Sequence, residues 1–239
     1  MSRLRILGVP VDPVTESEAV LWVKAAIAHG PPRQVVTVNP EFVMRAQVDP
    51  PFRAVLEGAG LAIPDGAGLL WAARHRGQRI PERVAGVDLV RALAREGAAS
   101  GWRFFLLGAG PGVAAAAAAA LRRDSPALVV TGTLSGSPQP AEDEATAAAV
   151  RAAGCDLLLV AFGAPTQDLW IARNLDRTGA RVAIGVGGAF DFLSGQTHRA
   201  PAWMRERGLE WLHRLAREPW RWRRMLALPR FVYRVLREA

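Results

Sequence analysis

The 239-residue chain has one cysteine, Cys155, which excludes a disulfide framework within the chain and a cysteine-rich zinc site. Its four histidines, at 29, 75, 198 and 213, fall at no metal-ligand spacing. No Asp-x-Asp pair stands ready to hold a divalent ion between nucleotide phosphates. Chemistry without a metal or a cofactor is therefore expected. The chain also lacks a G-x-S-x-G elbow and a Walker lysine motif, and its glycines do not match G-x-G-x-x-G. A nicotinamide enzyme is disfavoured, the more so because the strand LVVTG ends without an acidic residue to hold a ribose. No apolar run approaches the ~18–20 residues of a membrane span. The opening MSRLRILGVPVDPV has no continuous apolar region and no small-residue cleavage site, so an intracellular protein is expected.

Apolar residues are plentiful, at 50%, enough for a sizeable core. Positive charge is plentiful too, and it is unevenly placed. The formal net charge is +8. Residues 1–198 hold 19 basic and 18 acidic residues, whereas residues 199–239 hold 11 arginines and four glutamates. Four of the eight tryptophans lie in that last stretch. The pattern divides the chain into a near-neutral body, 1–198, and a basic, tryptophan-rich appendage, 199–239.

Along the body, short apolar runs alternate with helical patterns. Leu4–Val9 reads as a strand, and Thr15-Glu16-Ser17-Glu18 has the spacing of a capping box that opens a helix to about His29. Gln34–Val38 is the next strand; Asn39-Pro40 and Asp49-Pro50 each put a capping residue before a first-turn proline. Leu61–Ile63 leads into Pro64-Asp65-Gly66, then a helix over 67–76, an arginine-bearing loop and a helix over 87–98. Strands follow at Arg103–Leu107, Leu128–Thr131, Asp156–Ala161 and Arg181–Val186. Strand, glycine loop and helix in series imply an α/β fold: a Rossmann-like parallel sheet with helices on both faces, carrying a basic C-terminal helical appendage.

Open sheets of this kind bind ligands beyond the carboxyl ends of their strands. Asp65, a lone carboxylate at such a strand-to-helix junction, is the candidate general base, although most Pro-Asp-Gly aspartates merely cap or turn the chain. Gly108 and Gly110, in Gly108-Ala109-Gly110-Pro111-Gly112, form a phosphate-cradle candidate or a plain tight turn. Phe162–Asp168 and Gly185–Asp191 are further strand-end loops. There Gln167 can donate to a phosphate or sugar oxygen, Gly187 lets the backbone approach a ligand, and Asp191 can accept from a base or ribose. Each also has a bland role, as a surface glutamine, a turn or a helix cap. Arg83 is a positive charge in a loop, where solvated arginines are the commoner case.

In the appendage, Pro219 and Pro229 mark about three helical pieces. Arg214, Arg217, Arg221 and Arg224 recur at three- and four-residue steps, which a nearly continuous helix would align. Tryptophan and leucine beside arginine suit an anionic membrane surface better than nucleic acid. A helical hairpin packed on the sheet is the plain alternative.

The segments TVNPEFV (37–43), LAIPDGAGLLWAAR (61–74), ERVAGVDL (82–89), FFLLGAGPGV (104–113), FGAPTQDLWIA (162–172), GVGGAFDFLSG (185–195) and RAPAWMRERGLEWLHRLAREPWR (199–221) occur in order along nearly the whole chain. Together they resemble bacterial glycosyltransferases of the WecG/TagA/CpsF type, glycosyltransferase family 26. The resemblance implies inverting transfer of a sugar, often N-acetylmannosamine, from a UDP-sugar to a polyprenyl-diphosphate-linked N-acetylglucosamine at the cytoplasmic membrane face. It implies Asp65 as the base and Thr37, Asn39, Arg83 and Gln167 as pocket residues. It also implies a peripheral membrane location in cell-surface polysaccharide or teichoic acid synthesis, with no nucleic-acid partner. Departures are Pro165-Thr166-Gln167-Asp168 for the usual Pro-Lys-Gln-Glu, Val87 for Ser or Thr, and Ala189 for Thr; they leave the donor sugar open. The alternative reading is a non-catalytic lipid- or nucleic-acid-binding α/β module. A homo-oligomer that hides part of the apolar tail is compatible with the same pattern.

Overall fold

The computed structural model describes residues 3–201, 203, 204, 210–217, 219 and 222–238, with the backbone alone for 210, 214, 223 and 224. Six strands form one parallel sheet: β3 (Arg33–Val38), β4 (Leu61–Pro64), β5 (Arg103–Gly108), β6 (Val129–Leu134), β7 (Leu157–Ala161) and β8 (Val182–Gly185). Their order is β4-β3-β8-β7-β5-β6. Every pairing in the sheet is parallel. The α/β reading with a parallel sheet thus holds.

The N-terminal expectation needs correction. Residues 4–9 are not one strand but the start of an antiparallel hairpin, β1 (Leu4–Ile6) and β2 (Val9–Val11). Leu7 and Gly8, both at positive φ (48° and 78°), make its turn. Two positive-φ residues match the right-handed twist of a two-residue hairpin.

Parallel strands buried on both faces read as unbroken apolar runs, and alternate residues serve opposite layers. On one face Val35, Ile63, Leu106, Leu159 and Ile184 meet α1 (Glu16–Ala28), α5 (Gly86–Ser100), α6 (Val113–Asp124) and α9 (Ala189–Leu193). On the other, Leu107, Leu158, Val160 and Ala183 meet α7 (Asp143–Ala153) and α8 (Thr166–Thr178). Val36, Val38 and Ala62 meet the hairpin, α2 (Pro40–Ala46), α3 (Pro50–Gly58) and α4 (Ala67–His75). The helix starts follow the sequence signals. Thr15 makes a full capping box with Glu18, and Asn39 and Asp49 cap α2 and α3 with proline in the first turn. Cys155 is buried, and burial pushes its thiol up to about 12, so it stays protonated and inert.

The appendage is helical at Glu210–Arg217, Trp222–Met225 and Ala227–Arg237. Pro229 does not divide it; it lies in the first turn of the last helix, where its missing N–H has no intrahelical partner to lose. That helix buries Phe231 and Val235 in the core shared by the hairpin, α2, α3 and α4. Arg76 pairs with Glu238 at 3.1 Å across the same contact. Truncating Phe231 to alanine is expected to lower the unfolding free energy by about 3 kcal/mol in urea denaturation, the cost of a large aromatic lost from a closed core.

Candidate active site

Order and handedness open a crevice at one place in the sheet. After β3 the chain enters α2, on one face; after β8, the neighbouring strand, it enters α9, on the opposite face. Neighbouring connections that leave in opposite directions part the loops at their carboxyl ends. A cavity of about 980 Å³ lies there, walled by the ends of β3, β4 and β7 and by the loop after β8. Tail residues Trp211, Leu215, Met225, Leu228 and Val232 close its far side with apolar surface.

Asp65 lines this cavity, half-buried at the end of β4, and its N–H donates to the Val38 carbonyl at 2.7 Å. Its Oδ2 faces the first residue of α5: a Cβ built on Gly86 would stand 3.9 Å away. Gly86 opens the 15-residue helix α5, so the Asp65 carboxylate lies toward that helix's N-terminus. The Val84 N–H donates to the Pro64 carbonyl at 2.9 Å, which carries the arginine loop along β4 and sets Arg83 in the same wall.

Thr37 and Asn39 line the cavity from the end of β3, and both also hold backbone. The Thr37 hydroxyl donates to the Gly185 carbonyl at 3.2 Å, joining β3 to β8. Asn39 Oδ1 accepts the Phe42 N–H at 2.9 Å as the cap of α2, so what Asn39 can offer a ligand is its Nδ2 donors. Gln167 is not the surface residue that a lone glutamine usually is; it is 1% exposed, in the first turn of α8. Its Oε1 accepts the Gly163 N–H at 3.1 Å and the Gly187 N–H at 2.9 Å. One carboxamide therefore ties the loop after β7 to the loop after β8.

The glycine expectations separate. Gly187, at φ 52°, and Gly110 line the cavity, as does Asp191 in the first turn of α9. Gly108 does not. At φ 103°, it lies where a Cβ would come within 2.7 Å of the Ala161 backbone; close strand packing, not ligand approach, accounts for glycine here. In the tail, Arg217 is exposed and is not among the cavity residues. The side chains of Arg214, Arg221 and Arg224 lie outside the described residues. Among the described residues, no group of three or more His, Cys, Asp or Glu could hold a metal ion.

Several cavity residues escape a reading of the sequence. Arg199 lines the wall and forms a two-pronged ion pair with Asp88, at 2.6 and 3.0 Å, fastening the start of the appendage to α5. Glu41 and Trp71 also line the cavity; Trp71 stacks on His75 with ring centroids 5.6 Å apart. Val87 and Ala189, which replace the hydroxyl residues usual in the resembled family, both face the cavity. Of Arg199, Glu41 and Trp71, only Glu41, beside Asn39-Pro40, had a local signal.

A parallel α/β sheet with a roomy cleft at its strand ends, lined by the Asp65 carboxylate and by Arg83 and Arg199, fits a group-transfer enzyme. The comparisons with known proteins give the family. The chain belongs to the glycosyl transferase WecG/TagA/CpsF family, whose profile matches residues 4–239. It is similar to two proteins named N-acetylglucosaminyldiphosphoundecaprenol N-acetyl-beta-D-mannosaminyltransferase. The one from Bacillus spizizenii is 34% identical over 203 residues, 85% of this chain and 78% of the relative. The one from Bacillus subtilis is 34% identical over 204 residues, 85% and 79% of the two chains.

Replacing Gln167 by leucine keeps the bulk and removes the acceptor of two amides. The variant is expected to lose about 1–2 kcal/mol in urea unfolding, since each of these part-buried hydrogen bonds contributes ~0.5–1.5 kcal/mol.

Proposed function

We propose that the chain transfers N-acetylmannosamine, or a closely related sugar, with inversion from a UDP-sugar to a polyprenyl-diphosphate-linked N-acetylglucosamine. The activity for which the two Bacillus relatives are named supports the acceptor and the sugar. The observation that carries the chemistry is Asp65, set at the cavity wall with its carboxylate toward the N-terminus of α5. In this reading the acceptor hydroxyl lies between Asp65 and C1 of the donor. The hydroxyl oxygen attacks C1 from the face opposite UDP, its proton passes to Asp65, and the C1–O bond to UDP breaks. An aspartate carboxylate is a weak base at neutral pH. It therefore takes the proton late, when bond formation has already made the hydroxyl acidic.

The charge gathering on the leaving diphosphate is met by Arg83, by Arg199 and by backbone N–H groups of the strand-end loops, with further arginines from the appendage. In this reading these cations and N–H donors neutralise the leaving charge without a metal. Val87 and Ala189 present methyl groups where relatives of this type present hydroxyls, so the donor is recognised there by shape more than by hydrogen bonds.

The same reading places the protein peripherally at the cytoplasmic membrane face. No described helix is long and apolar enough to cross a membrane. Trp203, Trp211, Trp222, Leu226, Tyr233 and Leu236 are exposed on the appendage, in a stretch rich in arginine. Apolar side chains flanked by cations suit an interface of anionic lipid.

The test is UDP release from a panel of UDP-sugars with a short polyprenyl-diphosphate N-acetylglucosamine analogue, in EDTA. Wild type should release UDP only when acceptor is present, and Asp65→Asn should lose on the order of a hundredfold or more in kcat while still binding UDP. Equal release by both proteins would move the base elsewhere. Absence of UDP binding by either would favour the non-catalytic module.

A further inference from the structure

Behind the cavity wall sits a carboxyl group that this reaction does not use. Asp168, next to Gln167 in the first turn of α8, is 0% exposed. Neither of its carboxyl oxygens makes a hydrogen bond. Its own N–H and the Gln167 carboxamide are the polar groups that face it, short of hydrogen-bonding geometry. A Cβ built on Gly185, at the end of β8, would stand 2.7 Å from Asp168 Oδ1 and 2.7 Å from Gln167 Nε2. The two side chains thus share one slot, which exists because residue 185 has no side chain. Gln34 Nε2 donates to the Asp168 carbonyl at 3.0 Å and fixes the backbone of that turn to β3.

The charged groups on the elements packed around α8 are engaged elsewhere. On α3, Arg53 pairs with Glu57. On α7, Asp143 and Glu144 pair with Arg173 and Arg177 of α8, and Arg151 donates to the Arg177 carbonyl. Arg33 on β3 and Asp176 on α8 are exposed. Among the described residues, no charged side chain shifts the Asp168 carboxyl. A bare carboxylate in a buried slot without a cation is strongly disfavoured, and burial pushes the Asp168 carboxyl up to about 7.

We propose that Asp168 is a positioning residue for sugar transfer: as a neutral carboxyl group packed behind Gln167, it fixes the carboxamide that joins the Gly163 and Gly187 amides at the cavity. The inference rests on the transferase reading of that cavity. Both acceptor directions of Gln167 Oε1 are taken by the two glycines, which sets the plane of the amide and turns Nε2 toward Gly185 and Asp168. Ionising Asp168 draws the Nε2 hydrogens toward the carboxylate and calls water into the slot, at the expense of the Oε1 bonds. The loops after β7 and β8 then loosen together.

The sign of the pH dependence follows. The native state keeps a proton that the unfolded chain releases above ~4. The stability carried by neutral Asp168 is therefore fully present below that value, and is lost as pH rises to about 7.

The experiment compares full-length wild type, Asp168→Asn and Asp168→Ala in two readouts: Tm from about pH 4 to about pH 9, and UDP affinity over the same range as a ratio to wild type, which cancels titration of UDP itself. The asparagine variant should gain Tm relative to wild type between about pH 4 and about pH 7, with no further gain above. The alanine variant should weaken UDP binding by roughly tenfold at about pH 6, and asparagine should recover most of that loss and bind better than wild type at alkaline pH. Parallel Tm profiles for wild type and asparagine would overturn the neutral carboxyl. Equal weakening by asparagine and alanine would overturn the positioning role. If wild type does not bind UDP at all, the transferase reading and the positioning role fall together, while the Tm profiles still decide the protonation of Asp168.

Discussion

A parallel sheet must be covered on both faces, because its strands present apolar residues to each side and its connections cross over rather than turn back. In this chain that constraint acts most sharply between β3 and β8, whose following helices cover opposite faces. The loops above them cannot both close over the strand ends, and the cleft that results is where Asp65, Thr37, Asn39 and Gln167 converge. The same division places Asp168 on the inner side of the wall. The site is thus a consequence of how the sheet is covered, with side chains added to a gap that the fold already leaves.

Gaps between loops need fastening, and the backbone supplies most of the material. Gln167 Oε1 accepts an amide from each of two loops, and the Thr37 hydroxyl reaches the Gly185 carbonyl of the strand next door. Each of these side chains is also a cavity residue. A group that both fastens the loops and lines the cavity ties the shape of the pocket to the fold, so its substitution changes the two together.

The appendage joins the body through two unlike contacts. Its last helix inserts Phe231 and Val235 into a core built by the hairpin and by α2, α3 and α4. Its beginning is pinned by the Arg199–Asp88 pair at the edge of the cavity. Between these anchors, Leu215 and Met225 face the cleft while Trp222 and Leu226 are exposed. Basic composition suggested a separable unit; a shared core ties its last helix into the body.

Local signals were legible wherever the physics is local. Capping boxes, first-turn prolines, apolar runs and the Pro-Asp-Gly stop depend on residues a few positions apart, so the sequence by itself determined the alternation of strands and helices, the strand-end position of Asp65 and the concentration of cations near the C-terminus. It was misleading where one pattern serves two purposes. Gly108 looks like a phosphate cradle but makes room for the Ala161 backbone, and Pro229 looks like a break but starts a helix. Only the tertiary structure decided the strand order, which brings Gln167 to Gly187 and Arg199 to Asp88, 20 and 111 residues apart in the chain. It also decided that Asp168 lies buried over Gly185. The reason is that burial and pairing are properties of space: a carboxylate's environment is set by whichever segments the fold places around it, and no periodicity along the chain records them.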